Sequence, residues 1–134
     1  LFERYHDRVQ FLVVYIREAH PTDGWWLGGG VVGWGLRLVI PLTSTDTTDP
    51  ATLEERRAEA GRCQAALELG IPTLVDDVDD RVNEAYAAWP TRLYLIDVDG
   101  HVAYAGGLGP FGFRPAALGR AIEAMLTDSP AGPR

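Results

Sequence analysis

Two side chains suited to proton transfer near neutral pH stand two positions apart early in the chain. Glu18 and His20 lie within Tyr15-Ile16-Arg17-Glu18-Ala19-His20-Pro21-Thr22-Asp23-Gly24-Trp25. An imidazole gives or takes a proton at physiological pH, and a neighbouring carboxylate can orient or recharge it. Tyr15 and Trp25 bracket the pair with aromatic surface. Far downstream, Arg92 follows Trp89-Pro90-Thr91 and offers a bidentate partner for a carboxylate. Phe111 stands in Gly109-Pro110-Phe111-Gly112-Phe113, where it can cover a pocket edge.

Each residue also has a plainer reading. A loop histidine is commonly a solvated surface group, and a carboxylate after a strand commonly caps or faces water. Arg92 can pair with Asp97 or Asp99, and Phe111 can anchor the last helix. Trp25 and Trp26 can simply pack their loop. Cys63, the single cysteine, falls on a helical face with Leu67 and reads as a small buried hydrophobe. One cysteine excludes an intrachain disulfide and a cysteine metal cluster, and no metal site is expected. His6 and His101 read as surface residues.

The elements that must position these groups follow from patterning. The chain has 134 residues, 46% of them hydrophobic, with a formal charge of -7. That length suits one domain. The acidic balance argues against nucleic acid as a partner, because phosphate binding relies on clustered Lys and Arg, and against docking on anionic membranes. No apolar run approaches the roughly 20 residues needed to span a bilayer. The lack of disulfides points to a reducing, cytoplasmic setting.

Leu1 to Arg8 reads as a helix end with Leu1, Phe2 and Tyr5 on one face. Val9 to Ile16 is almost wholly apolar, as expected of a strand buried on both faces of a parallel sheet. Its C-terminal end turns polar, and ligands of open α/β sheets sit beyond such ends. Val39-Ile40 is a candidate short strand after the loop at Gly28-Gly29-Gly30. Asp49-Pro50 reads as a helix start, with Leu53, Ala60, Cys63 and Leu67 on one face and Gly70 as a stop. Ile71 to Val75 is a strand. Asp77 or Asp79 can cap a helix carrying Val82, Ala85, Tyr86 and Trp89. Leu93 to Val98 and Val102 to Ala105 flank Asp99-Gly100, a hairpin signal. Pro115 opens a last helix with Leu118, Ile122, Met125 and Leu126 on one stripe.

This order resembles a thioredoxin-like fold: α/β, three-layer α/β/α with a mixed sheet, its N-terminal strand missing. Residues 1–128 form one such domain in this reading, and 129–134 a disordered tail. Trp89-Pro90-Thr91 before a strand and hairpin looks like the cis-proline corner of that superfamily.

The eleven residues Tyr15 to Trp25 are similar to the signature of the iodothyronine deiodinases and their bacterial relatives. Further matches run in order: Thr52-Leu53-Glu54-Glu55-Arg56, Asn83-Glu84-Ala85-Tyr86, Arg92-Leu93-Tyr94, and Gly106 to Phe113. The resemblance implies reductive dehalogenation of an iodinated phenol by a selenol or thiol. His20 and Glu18 would be catalytic, and Arg92, Tyr15, Trp25, Pro90 and Phe111 would bind substrate. His20 and Arg92 would share one pocket at the mouth of the sheet. The nucleophilic selenocysteine or cysteine is expected upstream of Leu1, which would leave this stretch inactive alone. No cofactor is expected to be bound, and an external thiol would serve as reductant. A homodimer through an exposed sheet edge is a further expectation. Pro50 and Ala51 replace a His-Arg pair frequent in the family, and the Gly-rich stretch after Trp25 is longer than its pattern. The alternatives are a thioredoxin- or peroxiredoxin-like thiol reductase, marked by an upstream Cys-x-x-Cys, and a non-catalytic thioredoxin-fold domain.

Overall fold

A computed structural model describes residues 1–18, 48–68 and 70–128. Their contacts group into two units, Leu1–Phe11 with Ala88–Arg134, and Leu12–Ala87. The first contains helix α1 (Phe2–Tyr5), strands β3 (Tyr94–Ile96) and β4 (Val102–Ala105), and helix α4 (Pro115–Asp128). The second contains β1 (Val13–Tyr15), α2 (Leu53–Leu67), β2 (Thr73–Val75) and α3 (Arg81–Tyr86). The protein is a mixed α/β chain. The stretch with Gly28-Gly29-Gly30 and Val39-Ile40, and the tail from Ser129, lie outside the described residues. No described helix is long and apolar enough to cross a membrane.

The first unit is held by the stripe read from its last helix. Leu118 and Ile122 of α4 meet Leu95 and Tyr5 in one buried cluster, with Met125, Leu126, Val9, Phe11 and Tyr104 packed around it. Tyr5 places its hydroxyl outward, where it donates to Glu123 Oε1 at 2.9 Å. Strands β3 and β4 pair antiparallel, Tyr94 with Ala105 and Leu95 with Tyr104. Their connection is built by Asp97, whose Oδ1 accepts the backbone N–H of Asp99 at 2.9 Å and of His101 at 2.8 Å. Gly100 takes φ 87°, a left-handed conformation that costs a residue without Cβ little.

In the second unit β1 and β2 are parallel, with Val13 opposite Thr73, Val14 opposite Leu74 and Tyr15 opposite Val75. Helix α2 packs against β2. The expectation of a long strand buried on both faces is corrected here. The strand is three residues long, and Leu12 and Val14 are 54% and 37% exposed. Burial alternates along it, because α2 covers one side of the pair and Val9 and Phe11 belong to the other unit's core.

Helix α2 starts three residues later than Asp49-Pro50 suggested. Thr52 and Glu55 form a reciprocal capping box: Glu55 N–H donates to Thr52 Oγ1 at 3.2 Å, and Thr52 N–H donates to Glu55 Oε2 at 3.1 Å. Its buried face is polar as well as apolar. Arg56 and Glu59 are buried beside Ala60, while Leu67 is exposed. The helix closes on Glu68 in the left-handed region. Neither Asp77 nor Asp79 caps α3. The N-cap residue is Asp80 at φ 55°, and Asp76, at the end of β2, accepts the N–H groups of Val82 at 3.1 Å and Asn83 at 2.8 Å. The helix ends at Tyr86, so Trp89 lies beyond it.

Candidate functional site

The end of β1 delivers the first group of candidate residues. Tyr15 is its last residue, and Glu18 follows three positions on, a reach that lets the two side chains meet. The Tyr15 hydroxyl donates to Glu18 Oε1. Burial pushes the Tyr15 hydroxyl pKa well above the ordinary phenol range, and the bond to Glu18 and that carboxylate's charge push further. Tyr15 therefore stays protonated and works as a donor. Cys63, half-buried on α2, is in the same surroundings. Burial raises its thiol pKa, and the Glu18 charge adds to the rise. A thiol with a raised pKa is a poor nucleophile, although Cys63 is half-buried rather than the buried core residue expected.

Arg17, between Ile16 and Glu18, anchors this strand end. Its Nη2 lies 2.8 Å from Asp49 Oδ2 and its Nη1 lies 3.6 Å from Asp80 Oδ2. Asp80 also receives Arg56, whose Nη1 stands 2.8 Å from Oδ1 and 2.6 Å from the Asp77 carbonyl oxygen. Sequence reading passed over Arg17, Arg56, Asp49 and Asp80 as site residues. The one signal for Arg17 was its place inside the eleven-residue motif. His20 and Trp25 lie outside the described residues, so the shared pocket of His20 and Arg92 is untouched by these observations.

The second group of candidates belongs to the other unit. The Trp89–Pro90 bond is cis, as the sequence suggested. Two residues on, Arg92 donates from Nε to the Gly106 carbonyl at 2.6 Å and lays its guanidinium over the Tyr94 ring at 5.2 Å. Backbone bonds tie this segment to the loop after β4: Gly106 N–H to Leu93 O at 2.8 Å, and Gly109 N–H to Thr91 O at 2.9 Å. The loop folds on itself through Gly112 N–H to Leu108 O at 2.7 Å. A Cβ on Gly112 would fall 2.3 Å from the Gly107 carbonyl carbon, so only glycine allows that approach. This tight loop holds Phe111 outward, 91% exposed. Pro90, Arg92 and the Phe111 loop thus come together.

Among the described residues, Asp97, Asp99 and His101 bring one potential metal-ligand atom each within 4.8 Å of one another. The turn itself accounts for this cluster. Asp97 is occupied by the N–H groups of Asp99 and His101, and the His101 bond is the leading cause holding its carboxyl below the usual range.

A tyrosine–carboxylate pair at a strand end in one unit, and an arginine after a cis-proline in the other, do not by themselves specify a reaction. Comparison with known proteins narrows it. The iodothyronine deiodinase family pattern matches residues 1–125, and the chain belongs to that family. It is 35% identical over 125 residues to a thyroxine 5-deiodinase of Sparus aurata, covering 90% of this chain and 39% of that protein. It is 31% identical over 128 residues to the thyroxine 5-deiodinase of Ovis aries, covering 92% and 37%. A type II iodothyronine deiodinase of Petromyzon marinus is 35% identical over 116 residues, covering 86% and 35%. The chain spans less than two fifths of the length of these relatives.

Proposed function

We infer that this chain is the proton-transfer and substrate-holding portion of a reductive deiodinase acting on iodinated phenolic compounds. The observation that carries the reading is the family match over residues 1–125, which includes the whole Tyr15 to Trp25 motif. A selenolate or thiolate, from a selenocysteine or cysteine preceding Leu1, attacks iodine and takes it as a selenenyl or sulfenyl iodide. The electron pair of the carbon–iodine bond stays on the ring carbon, which then takes a proton. His20 supplies that proton, and Glu18, held by Tyr15, returns one to His20. Two equivalents of an external thiol reduce the selenenyl or sulfenyl iodide. Iodide leaves, the thiol becomes a disulfide, and the nucleophile is restored.

Arg92 pairs with the carboxylate end of the substrate, and Trp25, Pro90 and Phe111 supply apolar surface to its rings. The element order supports a thioredoxin-like, three-layer arrangement as the frame for this chemistry. The single cysteine supports a reducing, cytoplasmic setting, and a homodimer belongs to the same reading.

The test is iodide release by a protein extended upstream to its nucleophile, with dithiothreitol and an iodinated phenol. His20→Ala is expected to slow the chemical step by about 10²–10⁴-fold. Arg92→Ala should raise KM for carboxylate-bearing substrates and leave phenols without a carboxylate unaffected. A His20→Ala enzyme with undiminished turnover would refute the assigned role. An upstream Cys-x-x-Cys with disulfide reduction and no iodide release would favour the thiol reductase instead.

A further inference from the structure

We propose that Arg17 is a positioning residue: it is the central link of a four-member ionic chain, Asp49–Arg17–Asp80–Arg56, that fixes the end of β1 carrying Tyr15 and Glu18. The charges alternate in sign along the chain. Arg17 reaches Asp49 at 2.8 Å and Asp80 at 3.6 Å, and Asp80 reaches Arg56 at 2.8 Å. Three segments of backbone are joined, the end of β1, the start of α2 and the start of α3. Arg17 follows β1, Asp49 precedes the capping box of α2, Arg56 lies in α2 itself, and Asp80 is the N-cap residue of α3.

An exposed ion pair would carry little weight, because solvent and salt screen it. This chain differs because it runs inward. Asp49 is 26% and Arg17 42% exposed, whereas Asp80 is 18% exposed and Arg56 3%. Asp80 is further held by its place at the start of α3, and Arg56 by its bond to the Asp77 carbonyl. Arg17 is therefore paired with a carboxylate that is itself held by a buried guanidinium. Glu18 is its immediate neighbour, so the backbone that Arg17 fixes decides where the Glu18 carboxylate meets the Tyr15 hydroxyl. The link to catalysis rests on the deiodinase reading above, whereas the ionic chain does not.

The experiment has two arms so that the two ideas fail separately. In the 134-residue chain, Arg17→Ala should speed amide hydrogen exchange in residues 13–18 and 48–52 by roughly two- to fivefold. Residues 116–127 of α4 should be unchanged. Arg17→Ala and Asp49→Ala combined should accelerate exchange in residues 48–52 by less than the product of the two single effects, since both remove the Arg17–Asp49 link. Additive effects, no change, or equal acceleration throughout α4 would overturn the ionic chain. In the upstream-extended protein, Arg17→Ala should lower kcat several-fold with KM and the thermal midpoint unchanged, and Arg17→Lys should recover part of the loss. Unaltered kcat would overturn the positioning role. If the unmutated extended protein releases no iodide, the proposed function fails, and hydrogen exchange alone decides whether Arg17 positions the strand end.

Discussion

Asp80→Ala should be among the most damaging substitutions in the second unit. Arg56 is 3% exposed and directs one nitrogen, Nη1, at both Asp80 Oδ1 and the Asp77 carbonyl. Its Nε is buried without a hydrogen-bond partner. Among the described residues, Asp80 supplies the carboxylate paired with this guanidinium. Removing one member of a buried pair costs about 3–5 kcal/mol, because a charge is left desolvated and unpaired. The Asp80 side chain is 18% exposed, so water can reach part of the site and moves the cost toward the low end. A second loss is local. Asp80 holds φ 55°, a region that disfavours alanine by roughly 1 kcal/mol. The sum is about 3–4 kcal/mol for Asp80→Ala. Asp80→Asn keeps an acceptor oxygen and tolerates the left-handed backbone, so it should cost about half as much.

Urea unfolding followed by far-ultraviolet circular dichroism, with hydrogen exchange in α2 as a local readout, measures both. Arg56→Met in the Asp80→Ala background should recover much of the loss, because it removes the stranded charge and keeps apolar volume. A cost below about 1 kcal/mol for Asp80→Ala would refute the reasoning. So would further destabilisation on adding Arg56→Met.

Two other expectations are simpler to check. Cys63 should react slowly with iodoacetamide near pH 8, roughly tenfold below a free cysteine peptide, and at the ordinary rate in denaturant. Its raised pKa means that the neutral thiol contributes stability in full below the ordinary thiol range, and that this is lost as pH rises through the native value. Stability that is flat through the alkaline range in the unmodified protein, and equally flat in Cys63→Ala, would contradict that linkage. Gly112→Ala should loosen the Gly106 to Phe113 loop, since its Cβ would meet backbone atoms of Gly107 and Leu108 at 2.3 and 2.5 Å. Faster exchange of the Gly109 and Gly112 amides is the readout. Unchanged exchange would mean that the loop accommodates a side chain there.

What was legible in the sequence was local. The α4 stripe, the Asp99-Gly100 hairpin and the β2 strand were readable because neighbouring residues alone determine helix period, turn and alternation. The start of α2 was misread because two start signals compete within a few residues, and the reciprocal bonds of Thr52 and Glu55 prevail over Asp49-Pro50. The cap of α3 was misread for a related reason. Asp76 belongs to the preceding strand end, and it reaches two amides six and seven residues ahead rather than the usual two or three.

The same distinction separates the two halves of the candidate site. Tyr15 and Glu18 are three residues apart, so their pairing lay within reach of a sequence reading that had already singled out both. Arg17 finds its partners 32 and 63 residues away, and Arg56 finds Asp80 after 24. No periodicity encodes such pairings. Their only trace was indirect: α2 has charged residues where an apolar face was expected, at Arg56 and Glu59. A buried charge is costly unless something answers it. A charged residue on the inner face of a helix therefore predicts a partner of opposite sign elsewhere in the chain, even where the sequence does not say which. Here the partner is Asp80, and through it the interior of the unit reaches Arg17 and the strand end that carries Glu18.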